Sequence, residues 1–217
     1  MHKSLKRAAF AIGAAATIAA LGAATAAAAP TFTAKIGSAA SGSGTYTAAS
    51  VGSVKLTDTT TGIVITCTSA SAAGSVPVLG SGQSGNSIVK IASTGWISCT
   101  GVGLTFTVTQ TSTPWLVNAV STTAGGVTTG NLTGIAAHLA ATGCTFDVTG
   151  ATDGTYTNSS QILAVNPVAG SGHTLAISNV VGCFGAVGNG HTASFVGSYK
   201  VAATAGGVAG ALTITSP

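Results

Sequence analysis

From Ser53 onward the chain repeats one pattern: a short run rich in β-branched and aromatic residues, then a cluster of Gly, Ser or Asn. SVKLTD, GIVITCTS, SIVKIAS, LTFTVTQ, WLVNAV, CTFDVTG, QILAVNP, TLAISNV, TASFVGSYKV and ALTITS are such runs. Between them, GSGQSGNS, TAGGVTTGN, ATDGT, AGSGH and VGNGH supply residues suited to turn backbone. This punctuation leaves no room for long helices, and apolar residues spaced three or four apart with charged flanks are missing. About ten short strands, spaced roughly eight to twelve residues apart, predict an all-β fold: an antiparallel sandwich or barrel.

Individual strands carry their faces with them. Leu104, Phe106 and Val108 alternate with Thr105, Thr107 and Thr109, the pattern of a half-buried antiparallel strand. Phe106 and Phe195 are expected to point inward. The segment LTGIAAHLAATG (132–143) is ambiguous; read as a strand, it puts Leu132, Gly134, Ala136 and His138 on one face and Ile135, Ala137 and Leu139 on the other. Residues 29–54 are low in apolar bulk and read as an N-terminal arm or polar edge strand, leaving 55–217 as the main domain.

The N-terminus has a different character. MHKSLKR is basic, AAFAIGAAATIAALGAATAA is apolar and uncharged, and AAAAP supplies small residues. This is the order of a secretory signal peptide, residues 1–28, with cleavage after Ala28 or, as the alternative, Ala26. Removal leaves Lys35, Lys55, Lys90 and Lys200 against Asp58, Asp147 and Asp153, a net charge of +1. The basicity of the whole chain therefore belongs to the export signal and gives no support to a nucleic-acid partner. No segment after the signal is long and apolar enough to be read as a transmembrane helix.

Cys67, Cys99, Cys144 and Cys183 all follow the signal. An even number in an exported chain points to two disulfides, and the absence of C-x-x-C spacing speaks against a zinc site. A weak internal repeat supports one connectivity. IVKIASTGWISCTGVGLTFTVTQ and TLAISNVVGCFGAVGNGHTASFVGSYKV each run from an apolar strand through C-x-G and a Gly turn into another strand. Halves of about 55–120 and 130–205 would then pair Cys67 with Cys99 and Cys144 with Cys183. Three connectivities exist for four cysteines, and the repeat favours this one without excluding the others.

SCTGVGLTFTVT, PWLVNAV, GCTFDVTG, TLAISNVVGC and TASFVGSYKV together resemble an uncharacterised family of small secreted, disulfide-containing all-β proteins found mainly in actinobacteria, over most of the chain after Val54. The resemblance implies export and a β-fold, and it implies no activity. A fainter likeness, in low charge and expected sandwich form, is to the actinobacterial apoproteins that carry enediyne chromophores; those are shorter, with tighter cysteine loops.

Catalysis needs groups that move protons or stabilise charge. After the signal there are three aspartates and three histidines: His138, His173 and His191. A Ser/His/Asp arrangement could use His138 or His191 with Asp147, but no G-x-S-x-G elbow is present. Asp58 and Asp153 read as turn residues, and Asp147 as a carboxylate satisfied by neighbouring hydrogen bonds. His173 and His191, each after a Gly turn, read as solvated loop residues. No catalytic residue, metal site or cofactor is expected. Trp96 and Trp115, the only tryptophans, are either core packing or aromatic platforms for a ligand. The expectation is a non-enzymatic protein, secreted or at the cell surface, that acts as an envelope component or associates with itself through uncharged strand edges. The alternative is a secreted binding module for a small apolar molecule or glycan.

Overall fold

The computed structural model describes residues 29–168 and 170–217; the expected signal peptide, residues 1–28, lies outside them. In chain order the strands are β1 (Phe32–Ile36), β2 (Gly44–Ser50), β3 (Val54–Asp58), β4 (Val64–Val76), β5 (Gly80–Gln83), β6 (Val89–Gly101), β7 (Leu104–Gln110), β8 (Trp115–Ala119) and β9 (Val127–Ala141). They continue with β10 (Cys144–Thr157), β11 (Ile162–Val165), β12 (Leu175–Gly182), β13 (Thr192–Ala205), β14 (Val208–Gly210) and β15 (Leu212–Thr215), with a short 3-10 turn, Cys183–Gly185, before β13.

These strands close into an eight-stranded antiparallel barrel, so the fold is a barrel rather than a sandwich. Five wall positions are single long strands: β4, β6, β9, β10 and β13. The other three are each shared by two short strands laid end to end. β2 and β3 both lie between β13 and β4, β7 and β8 between β6 and β9, and β11 and β12 between β10 and β13. The wall follows chain order, and the β13 pairing with β2 and β3 closes it. Residues 44–119 build four positions and 127–205 the other four, close to the two halves suggested by the repeat.

Each shared position is broken where the chain leaves the ladder, at residues 51–53, at 111–114, and after β11 at 166–168 and 170–174. Pro114, which has no N–H to donate, sits in the second break. Beside it the wall is incomplete. β6 pairs with β8 at Val89–Ile91 and with β7 at Cys99–Gly101. Between those ladders residues 92–98 are joined to the β7–β8 side through side chains: Thr94 Oγ1 donates to Gln110 Oε1 and Thr113 Oγ1 to the Ala92 carbonyl.

A second sheet, in the order β15–β1–β5, covers one rim of the barrel. Phe32, Ala34 and Ile36 of β1 are buried, as are Leu212 and Ile214 of β15. Tyr156, at the end of β10, donates to the Leu212 carbonyl, and Thr128, at the start of β9, to that of Ile214. The expected N-terminal arm or edge strand is therefore corrected. β1 is the central strand of this sheet, and β2 is a barrel strand whose Tyr46 and Ala48 face inward, so the barrel begins at Gly44 rather than near residue 55. Alternation in so short and polar a segment carries too little apolar bulk to announce burial.

The opposite rim holds both disulfides. Cys67 and Cys99 face each other across β4 and β6, and Cys144 of β10 bridges to Cys183. These are the pairs that the repeat favoured. Phe106 and Phe146 meet edge to face there, centroids 6.1 Å apart.

Of segment 132–143, residues 132–141 are extended as part of β9 and Thr142 and Gly143 turn into β10, and the expected faces need one change. Ile135, Ala137 and Leu139 share one face, as expected, and it points inward, but Leu132, expected on the opposite face, points inward too. Gly134 adopts φ +71°, a left-handed conformation that a glycine takes freely, and the extra residue there shifts the side-chain phase. A further expectation is corrected at ATDGT, which forms no turn but lies within β10. A Cβ on Gly154 would sit 2.8 Å from the Ala164 carbonyl oxygen, so this glycine serves close strand approach.

Candidate functional site

An eight-stranded barrel is just wide enough for side chains to fill it or to leave space for one small ligand. Here the inward positions include several small residues, among them Ala48, Ala72 and Ala137, and they leave a cavity of about 120 Å³. Its wall is almost entirely apolar. Trp96 of β6 and Trp115 of β8 both line it, with ring centroids 6.1 Å apart and planes tilted by 45°. The two tryptophans that the sequence singled out as candidate platforms are thus brought together, beside the incomplete stretch of wall. Phe195 points inward as expected: it packs against the core and lines the cavity, though it is only partly buried, unlike Phe106.

Two residues of this wall each carry a fully buried polar side-chain atom with no hydrogen-bond partner within the protein: Trp115 Nε1 and Thr152 Oγ1. Trp115 is 7% exposed and Thr152 2%. Sequence reasoning missed Thr152, because Gly punctuation around ATDGT reads as a turn. The tyrosines of the wall, Tyr46, Tyr156 and Tyr199, titrate well above the ordinary phenol because burial disfavours the anion, so they stay neutral.

The titratable groups stand elsewhere, in three His–Asp pairs: His138 Nδ1 is 2.6 Å from Asp147, His173 Nδ1 2.6 Å from Asp153, and His191 Nδ1 2.7 Å from Asp58. His138 and Asp147 are cross-strand neighbours on β9 and β10, and Asn179 donates to the second Asp147 oxygen. Of the two histidines that the sequence placed with Asp147, His138 reaches it and His191 goes to Asp58 instead. His173 and His191 are not solvated loop residues but are each tied to a carboxylate, a long-range pairing that local sequence does not display. Asp58 does act in a turn, accepting from the Thr60 and Thr61 amides.

The Asp153 pair belongs to a longer polar chain. The Ser87 amide donates to Asn118, Asn118 Nδ2 to Asn131 Oδ1, and Asn131 Nδ2 to His173 Nε2; His173 Nδ1 then donates to Asp153. Ser171 and the Val168 amide donate to the other Asp153 oxygen. With both ring nitrogens occupied, His173 is a strut that pins residues 170–174 to the wall. Among the described residues no three His, Cys, Asp or Glu side chains gather as a metal site would require.

All three carboxyls lie below the ordinary aspartate value. For Asp58 and Asp153 burial alone would raise them, but the hydrogen bonds from His191 with the Thr60 and Thr61 amides, and from Ser171, Val168 and His173, outweigh it; for Asp147 the bonds from Asn179 and His138 dominate. The folded protein thus binds fewer protons than the unfolded chain in acid. The resulting stability is fully present above the unfolded aspartate value of about 4 and is lost as pH falls through the lower folded values. The melting temperature is expected to drop between about pH 4 and 2, and Asp58→Asn with Asp153→Asn to flatten that slope. A double variant that keeps the parent's slope would show that these carboxyls do not carry it.

Fold and cavity together define a closed up-and-down β-barrel with an apolar interior, capped at one rim by a small sheet and stapled at the other by disulfides. Compared with known protein families, curated proteins and solved structures, the chain matches none.

Proposed function

We propose that the chain is a secreted, non-enzymatic binding module that holds one small apolar molecule inside its barrel. The observation that carries this reading is the apolar cavity walled by Trp96 and Trp115. A dry apolar cavity of about 150 Å³ binds benzene in another protein, so about 120 Å³ suits a ligand of similar size. The incomplete ladder beside residues 92–98 offers a way in that costs side-chain hydrogen bonds rather than a strand pairing. Two disulfides accord with an oxidising compartment, and no helix among the described residues is long and apolar enough to cross a membrane. Closure of the barrel leaves few free strand edges, which favours binding over self-association by strand addition.

Toluene is the probe that tests this reading. Saturable binding, with Kd on the order of 1 mM or tighter, is expected by calorimetry, with perturbed tryptophan fluorescence. Ala137→Phe, which fills the cavity from β9, should abolish it without lowering the melting temperature severely. Absence of saturable binding to the parent protein would refute the proposal.

A further inference from the structure

The disulfide rim exposes apolar side chains at places where the backbone favours polar or absent ones. The β6–β7 hairpin turns in two residues, Val102 and Gly103, between the paired Gly101 and Leu104. Both turn residues have positive φ, +47° and +76°. Such a turn favours Asn or Gly at its first position. A β-branched residue there is a conformational outlier, and the side chain of Val102 is exposed. Phe184, in the 3-10 turn after Cys183, repeats the case, with φ +50° and 90% exposure. Asparagine or glycine would cost less at either position, in backbone conformation and in hydration alike. Backbone strain that keeps an apolar side chain in water points to a use for that side chain.

Two more exposed apolar residues share this rim. Val181, 68% exposed, stands on β12 opposite Thr145, beside the pairing of Gly182 with Cys144. Val64 opens β4, with its carbonyl next to Gly101. We propose that the disulfide rim is a membrane-contact surface, on which Phe184 and Val102 enter the acyl boundary of a lipid layer and the barrel stands upright.

The distribution of charge and the size of the patch select this occupant. Lys35, Lys90, Lys200 and Asp153 belong to the capped half of the molecule. Asp58, at the disulfide rim, is buried and bound to His191, and Asp147 on the outer wall is held by His138 and Asn179. The unpaired charge left beside the rim is Lys55, exposed on β3. A lysine there suits a lipid surface, because its long stem lies along apolar matter while the ammonium stays among phosphates. A second copy of the chain fits less well. Four side chains on separate turns fall far short of the roughly 20–30 residues that each partner gives to a stable interface. Insertion into lipid needs only a few apolar groups that protrude, since each transfers its own area out of water.

Flotation of the secreted protein with phosphatidylcholine vesicles tests the assignment. The protein should float with the vesicles, and high salt should not release it, because apolar contact rather than charge holds it. Phe184→Asn should weaken partitioning by about tenfold or more, and Val102→Asn by several-fold. Neither should lower the melting temperature, because Asn suits a left-handed backbone better than Phe or Val. Thr107→Ser, on the outer wall, should change nothing. If Phe184→Asn fails to fold, Val102→Asn carries the same readout. A parent protein that does not float, or flotation that both asparagine variants retain, would overturn the proposal. Dimerisation of the parent in place of flotation, lost in Phe184→Asn, would overturn it too and assign the rim to a second copy.

Discussion

Phe106→Ala is expected to lower the unfolding free energy by about 3–5 kcal/mol. Phe106 is 4% exposed and packs edge to face on Phe146 at the disulfide rim. Truncation would remove the ring's transfer energy and leave a void that stiff flanking strands cannot collapse into. Thr105→Ser and Thr107→Ser, on the exposed face of the same strand, should each cost well under about 1 kcal/mol. Phe195→Ala should fall between them, because one side of that ring faces the cavity and has fewer contacts to lose. Chemical denaturation of the four variants tests the order. Equal losses at Phe106 and Thr107 would mean that the faces of β7 are assigned wrongly, and a loss at Phe195 matching Phe106 would mean that the cavity wall is as tightly packed as the rim.

What could be read from the sequence here was periodicity, and what could not was distance. β7 shows its faces in six consecutive letters, and the Gly/Ser clusters mark most strand ends, so an all-β chain with two cystine-linked halves was legible. The choice of barrel over sandwich was not, because it turns on whether β13 pairs back onto β2 and β3, a contact between segments some 150 residues apart that leaves no local trace. β2 was overlooked for a related reason: apart from Tyr46 its inward residues, Gly44, Ala48 and Ser50, are small enough to look like a linker. Small inward residues are also what leave the cavity, so the feature that hid the strand helps to make the site. Trp96 and Trp115 could be flagged because large aromatics are scarce in this chain. Their meeting depends on β6 and β8 being neighbours, and the isolation of Trp115 Nε1 depends on everything around it. The His–Asp pairs follow the same rule. Asp147 and His138 are separated by a single hairpin and were within reach of reasoning, whereas Asp58 and His191 lie 133 residues apart.

Removing both disulfides is expected to bring the protein close to unfolding. The bridges close loops with sequence separations of 32 and 39. On the chain-entropy account, each loop restricts the unfolded chain enough to stabilise the fold by about 4 kcal/mol. The loops do not overlap: one lies within residues 67–99 and the other within 144–183. Restricting one therefore leaves the unfolded freedom of the other nearly untouched, and the two contributions should add. Their sum, about 8 kcal/mol, is comparable to the total stability of an ordinary domain, about 5–15 kcal/mol. A barrel lined by many small side chains buries little apolar area per residue, so it has less reserve against such a loss. Cys67→Ala with Cys99→Ala, and Cys144→Ala with Cys183→Ala, should each lower the denaturation midpoint by similar amounts, and the fourfold variant should be largely unfolded at 37 °C. The β-sheet signal in far-ultraviolet circular dichroism, followed against denaturant for the three variants and the parent, decides the matter. Two separate losses of under about 1 kcal/mol would refute the loop-entropy account. A fourfold loss well short of the sum would show that the two halves of the barrel are coupled in the unfolded chain, contrary to their separation along the sequence.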